Sequence, residues 1–182
     1  MQKVSAWILV IMYVAIVGFA IYFCNISINY PKKYSDEIKY VCSKFDIPLH
    51  TFYALVNTES GFNPNAKSRA GAIGLTQILP STAEYICIKN NLEFSNYDLY
   101  NPLDNLYLGA MYLDYLLKKF DSIYSSLAAY NAGETVVRDW LNNPKYSYDK
   151  IDLYNIPYSE TDNYIKKIKN SEKIYHDFYK LK

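Results

Sequence analysis

Seventeen consecutive positions, Trp7 to Phe23 (WILVIMYVAIVGFAIYF), are apolar and free of charge, with only Lys3 and the amino group charged ahead of them. That length lies at the lower end of what crosses a bilayer as a helix. From Pro31 onward the pattern changes, and apolar residues recur at the three- and four-residue spacing of amphipathic helices. Ser35 is placed to cap a first helix, with Asp36 and Glu37 in its first turn and Ile38, Val41, Cys42 and Phe45 along one face. Asp46-Ile47-Pro48 breaks and restarts the pattern, proline being tolerated in a first turn. A second helix runs to about Ser60, with Gly61 as its stop.

Residues 61–80 are rich in glycine, proline and short polar side chains and read as a long structured loop with a short hairpin. Ser81-Thr82-Ala83-Glu84 has the form of a capping box that opens a third helix. Asn101-Pro102 opens what reads as the longest helix, with Leu103, Leu106, Tyr107, Ala110, Leu113, Leu117 and Phe120 as its core face. Further helices follow from about Ser122 to Asn131, ending at Gly133, and from Glu134 to Leu141. Residues 142–158 read as irregular, and Ser159-Glu160-Thr161-Asp162 as the cap of a last helix. Lys166, Lys167, Lys169, Lys173, Lys180 and Lys182 give that helix a solvated face. The pattern predicts a mainly α fold: a single globular helical domain over residues 31–182, preceded by residues 1–30 as a membrane helix with a short stalk.

A cleaved export signal is the alternative for the first segment, with Gly18-x-Ala20 a marginal match to a cleavage site. The apolar run continues past it through Ile21, Tyr22 and Phe23, which favours an uncleaved anchor over residues 7–23. Tyr22 and Phe23 are too bulky for Cys24 to read as a lipidated cysteine. Either alternative sends the domain to the membrane and outside. Beyond residue 30 there are 18 basic side chains (19 less Lys3) and 18 acidic ones, a balance that argues against a nucleic-acid partner. Cys42 reads as a core thiol, and its pairing with Cys87 stays open. His50 and His176 stand apart in the sequence, and no spacing suggests a metal site.

The chemistry concentrates around NTESGFNPNAKSRAGAIGLTQI, Asn57 to Ile78. On a helical wheel, Leu49, Phe52, Tyr53, Leu55 and Val56 mark the buried arc, and Glu59 falls beside Phe52, on the shoulder of the apolar stripe. Burial there disfavours the ionised carboxylate and raises its pKa, which suits a proton donor to a poor leaving group. The alternative is a glutamate that reaches solvent or pairs with Lys67 or Arg69. In an extended reading of GAIGLTQIL, Gln77 shares a face with Ile73, Leu75 and Leu79, where its amide needs a partner: a sugar hydroxyl or acetamido group, or the loop backbone. Tyr130, three residues after Leu127, reads equally well as a core aromatic, since tyrosine occurs 21 times.

The strings TESGFNPNAKSRAGAIGLTQILPSTA, NPLDNLYLGAMYLDYLL, SLAAYNAGETVVRDWL and IPYSETDNYIKKI, in this order over about residues 35–178, resemble the lytic transglycosylase domain of the soluble lytic transglycosylase family. The resemblance implies a lysozyme-like α+β fold, related to goose-type lysozyme, with a glycan-binding cleft. It places the family's catalytic acid/base on Glu59 and its substrate-contacting residues on Ser68, Gln77, Tyr130 and Asn131, with Glu160 and Tyr164 in supporting roles. Thr76 and Leu79, read as lying around the cleft, depart from the methionines that many members carry.

The resemblance further implies cleavage of the bond between N-acetylmuramic acid and N-acetylglucosamine in peptidoglycan, without metal or cofactor. Glu59 would protonate the glycosidic oxygen, then take the proton of the C6 hydroxyl as that oxygen closes on C1 to a 1,6-anhydro product. Only one motif-supported carboxylate is present where most glycosidases use two, since Glu84 reads as spent on a cap and Asp104 sits in a first turn. Two other readings stay open: a muramidase that hydrolyses the same bond, and a non-catalytic wall-binding scaffold. A tethered enzyme of this kind fits local opening of the wall, for growth or for the assembly of wall-spanning machinery.

Overall fold

The computed structural model describes residues 2–181, with side chains from Trp7 on. By internal contacts the chain divides into two units, one ending at Lys32 and one beginning at Lys33. The first is a single helix, α1 (Gln2–Asn29). Its stretch Trp7–Asn29 is long and apolar enough to cross a membrane, six residues further than the apolar run alone suggests. Trp7, Leu9, Tyr13, Phe19 and Ile21 stand exposed along it. A helix satisfies its own backbone polar groups, which is what lets such a segment enter hydrocarbon.

The second unit is built of helices α2 (Ser35–Phe45), α3 (Leu49–Ser60), α4 (Pro80–Lys89), α5 (Pro102–Leu117), α6 (Ile123–Ala132), α7 (Glu134–Leu141) and α8 (Ser159–Asp177). A single 3₁₀ turn covers Phe94–Asn96, and two isolated antiparallel bridges, Lys67–Ile73 and Ile73–Ile78, stand where a hairpin is expected. Helix α5 is central and packs against α2, α4 and α6, while α3 lies along α8. Because α5 meets neighbours on several sides, its buried set (Leu106, Leu108, Ala110, Met111, Leu113 and Leu116) runs around the helix, not along one stripe. Each leucine or methionine of this set removed from water contributes roughly 1.5–3 kcal/mol. Leu103, assigned to the core face by spacing, is exposed, and the longest helix of this unit is α8, not α5.

Helix ends follow the local rules only in part. Gly61 adopts the left-handed conformation (φ 59°), its N–H bonding the carbonyl of Asn57, and Asn101 caps α5 by accepting from the N–H groups of Leu103 and Asp104. Ser122 likewise caps α6. Three expected caps do not form. Ser35 is already inside α2 and its hydroxyl accepts from Tyr53, Ser159 opens α8 without a capping bond, and the Ser81–Glu84 box is displaced because α4 starts at Pro80, with Leu79 and not Ser81 in the capping position. Glu84 is therefore exposed, not spent on a cap. On α8, Lys166, Lys167, Lys169 and Lys173 face solvent, as does Lys180 beyond it; Lys182 lies outside the described residues.

The loop after α3 is fixed to α5 by Asn105. Its Oδ1 accepts from the backbone N–H and the hydroxyl of Thr76 (both 2.8 Å), and its Nδ2 donates to the carbonyls of Ile73 and Leu99 (both 2.9 Å). Gly74 (φ 76°) lets the chain pass this side chain, since a β-carbon there would lie 2.2 Å from Asn105 Nδ2. Glu172 plays a similar part on α8, accepting from the hydroxyls of Thr51 and Tyr124 at 2.6 and 3.0 Å, which joins α3 and α6 to that helix. Cys42 and Cys87 are buried and free, so no disulfide joins them, and burial pushes the Cys42 thiol up to about 12. His50 and His176, distant in sequence, meet edge to face with ring centroids 5.6 Å apart.

Candidate active site

Glu59 occupies the last turn of α3, where the helix leaves the core. It lines a cavity of about 370 Å³ together with Ser68, Gln77, Tyr130, Asn131 and Glu160. Tyr164, from α8, stands behind it and donates its hydroxyl to Glu59 Oε1 at 2.8 Å. Among the described residues no ion pair joins Glu59 to Lys67 or Arg69; its partner is the tyrosine. Burial raises the Glu59 carboxyl from 4.5 to about 7, with the Tyr164 hydrogen bond pulling the other way. Since Oε1 is held by Tyr164, Oε2 is the atom left to carry and deliver a proton.

The remaining residues are held by the loop and by α6 and α8. Gln77 sits in the left-handed region (φ 49°), so GAIGLTQIL is not an extended strand and side-chain parity does not apply to it. Its Nε2 donates to the carbonyls of Ala66 (3.2 Å) and Gly74 (2.9 Å). Two acceptors fix the amide's orientation, which leaves its oxygen for a ligand. Ser68 Oγ accepts from the N–H of Ala72 at 3.0 Å, so its own proton is free to be donated. Tyr130 donates to the Thr76 carbonyl at 3.1 Å and packs on Tyr112. Burial and then the Glu59 charge push Tyr130 and Tyr164 well above the usual tyrosine value, so both remain neutral donors. Asn131 Oδ1 accepts from Thr161 Oγ1 at 2.8 Å. Glu160 is exposed at the rim.

Of the two departures from the family's methionines, Leu79 does line the cavity, whereas Thr76 is fully buried on Asn105 and Gly109, behind the cleft wall. Tyr112, Thr82, Thr161 and Asn105 belong to the site or its support and are not singled out by the sequence. Only Asn105 leaves a trace there: an amide next to Leu106 on a helix buried on several sides needs partners.

The cavity is not isolated. A hollow of about 540 Å³ shares Asn131, Ala132 and Glu160 with it, and another of about 190 Å³ shares Thr82 and Tyr112. Together they form an open groove with Glu59 in its middle compartment, a shape suited to a polymer lying across one carboxyl group.

A mainly helical, lysozyme-like domain with a single sequestered glutamate in an open groove defines the class. Residues 37–153 match the family described as Transglycosylase SLT domain, and the chain belongs to that family. It is 36% identical over 155 residues to the soluble lytic murein transglycosylase of Escherichia coli (strain K12), covering 82% of this chain but 24% of that protein. It is 28% identical over 169 residues to membrane-bound lytic murein transglycosylase C of Glaesserella parasuis serovar 5 (strain SH0165), covering 80% of this chain and 46% of that one. Among solved structures, a 70 kDa soluble lytic transglycosylase in complex with bulgecin A superposes with a TM-score of 0.73 at 33% identity, over 82% of this chain and 25% of that one. An inactive mutant of the lytic transglycosylase Slt from Pseudomonas aeruginosa gives 0.75 at 26% identity, over 85% and 26%.

Proposed function

We propose that the chain is a peptidoglycan lytic transglycosylase that cuts the β-1,4 bond between N-acetylmuramic acid and N-acetylglucosamine and releases a 1,6-anhydro end. The observation that carries this reading is the Glu59 carboxyl, raised to about 7 by burial and set midway along an open groove. Near neutral pH an appreciable fraction is protonated and can donate to the glycosidic oxygen. The substrate's own N-acetyl group stabilises the cation that develops at C1. Glu59, now ionised and held by Tyr164, removes the C6 hydroxyl proton as that oxygen bonds to C1, which regenerates the acid and consumes no water. Ser68, Asn131 and the free oxygen of Gln77 are the groups that hold sugar hydroxyls and acetamido groups. No step requires a metal or cofactor.

Glu160 favours a second reading. It is the other carboxylate lining the cavity, and a hydrolase would use it to activate water. One experiment separates the two: mass analysis of digested peptidoglycan from wild type, Glu59→Gln and Glu160→Gln. The transglycosylase reading expects products lighter by one water from wild type, none from Glu59→Gln, and anhydro products at a reduced rate from Glu160→Gln. Hydrated products, lost on Glu160→Gln, would establish the muramidase instead. Binding without fragments from wild type would leave a wall-binding scaffold.

The apolar helix Trp7–Asn29 supports membrane association, and one of the relatives is named as membrane-bound. In this reading residues 1–30 anchor the chain by a single pass, and residues 31–182 lie outside the cytoplasm, where peptidoglycan is found. Removal of the segment as a signal would give a secreted form. A tethered cutter suits local opening of the wall, for growth or for wall-spanning machinery.

A further inference from the structure

Ser60, the last residue of α3, makes a bond that the reaction scheme does not use. Its hydroxyl has one proton and two carbonyls within reach: Val56, one turn back, at 3.3 Å, and Leu75, in the loop, at 2.8 Å. The longer bond is the ordinary return of a serine hydroxyl to its own helix. The shorter one has the length of a full hydrogen bond and joins residues 15 positions apart. Leu75 is fully buried, so its carbonyl depends on a protein donor.

The place of this bond gives it more than a packing role. Ser60 directly follows Glu59, and Leu75 stands two residues before Gln77. Thr76, the residue between, is gripped from α5 by Asn105 Oδ1 at 2.8 Å, and its carbonyl accepts from Tyr130 of α6 at 3.1 Å. Three helices thus hold the loop at two successive residues, and the grip from α3 comes from the immediate neighbour of the acid. Gly61 ends α3 straight after Ser60, so no further helical turn braces Glu59 from that side. Tyr164 ties the Glu59 carboxyl to α8, which sets its orientation and not its distance from the loop.

Resting on the function proposed above, we infer that Ser60 is a positioning residue of the reaction, setting through Leu75 the span between the acid on α3 and the ligand-holding groups on the loop. A glycan held by Gln77 and Ser68 then presents its bridging oxygen to Glu59. Ser60 touches neither the substrate nor the proton that moves. A misplacement of about 1 Å between reacting groups costs on the order of a hundredfold in rate. Because the ligand-holding groups stay on the loop, loss of the bond falls on kcat and not on KM. A hydroxyl that merely satisfied a helix end would act on stability alone.

The test compares wild type, Ser60→Ala and Ser60→Thr as full chains in detergent, acting on soluble glycan strands. Ser60→Ala should lower kcat about ten- to a hundredfold with KM changed by less than about threefold. Its descending pH limb should stay at about 7, because the burial of Glu59 and its Tyr164 bond are untouched. Ser60→Thr keeps the hydroxyl and should recover most of the turnover. Hydrogen exchange supplies a readout that needs no turnover: amides of residues 72–78 should exchange faster in Ser60→Ala, and those of residues 164–172 should not. If Ser60→Ala does not fold, Ser60→Cys, with a weak thiol donor at the same place, takes its part in every comparison. A kcat equal to that of wild type overturns the assignment, as does a rise in KM that matches the fall in kcat. So does a threonine variant as slow as the alanine one, a displaced pH limb, or unchanged exchange in the loop. Failure of the proposed reaction would show separately, as hydrated products from wild type or as undiminished cleavage by Glu59→Gln.

Discussion

Glu59 is held between two opposing influences. Burial favours its neutral form, and the Tyr164 hydroxyl favours the carboxylate. Between the unfolded value of 4.5 and the folded value of about 7, the native state binds the extra proton, so stability falls as pH rises through that window. The cost above pH 7 is about 3 kcal/mol, at about 1.4 kcal/mol for each factor of ten. Glu59→Gln is therefore expected to abolish glycan release and yet resist urea better than wild type at pH 8, with the gain vanishing by pH 4. The acid role also sets the pH profile: activity should fall as pH rises past about 7. Tyr164→Phe removes the bond that lowers the Glu59 value, so the descending limb should move to higher pH while kcat drops. A limb that stays in place or moves down would show that Tyr164 does not act through Glu59.

The element that matters most is the loop between α3 and α4, because Ser68 and Gln77 hang on it and Tyr130 bonds to its Thr76 carbonyl. It has little regular structure of its own, and Asn105 on α5 satisfies three of its polar groups, together with the Leu99 carbonyl that precedes α5. Asn105→Ala would leave those buried groups unpaired, at an expected cost of about 3–4 kcal/mol. Chemical denaturation checks this, and residual activity should fall further than stability alone explains because the loop carries the groove. Expectation and structure part here for a definite reason. Reading GAIGLTQIL as a strand assumes an extended backbone, whereas Gly74 and Gln77 adopt positive φ and Thr76 is held from outside by a side chain 29 residues downstream.

For the whole molecule, the internal contacts separate a lone apolar helix from a domain that begins at Lys33. Removal of residues 1–30 should therefore yield a soluble protein whose melting temperature and activity on isolated glycan strands match those of the detergent-solubilised full chain. Only the full chain should float with lipid vesicles. A truncated protein that unfolds or aggregates would show that the helix is more than a tether.

The sequence by itself determined what depends on near neighbours. The apolar run, the three- and four-residue spacing, Gly61 ending α3 in a left-handed turn and Asn101 capping α5 each need only a few adjacent residues to act. The position of Glu59 on the shoulder of α3 was legible for the same reason. Tertiary structure decided which partner each polar group keeps. Glu59 finds Tyr164 across 105 residues, Gln77 gives its amide nitrogen to Ala66 and Gly74, and Thr76 finds Asn105 on α5. A buried hydrogen bond is assigned by whichever group packing brings within about 3 Å. That is a property of the assembled helices, and no local pattern encodes it.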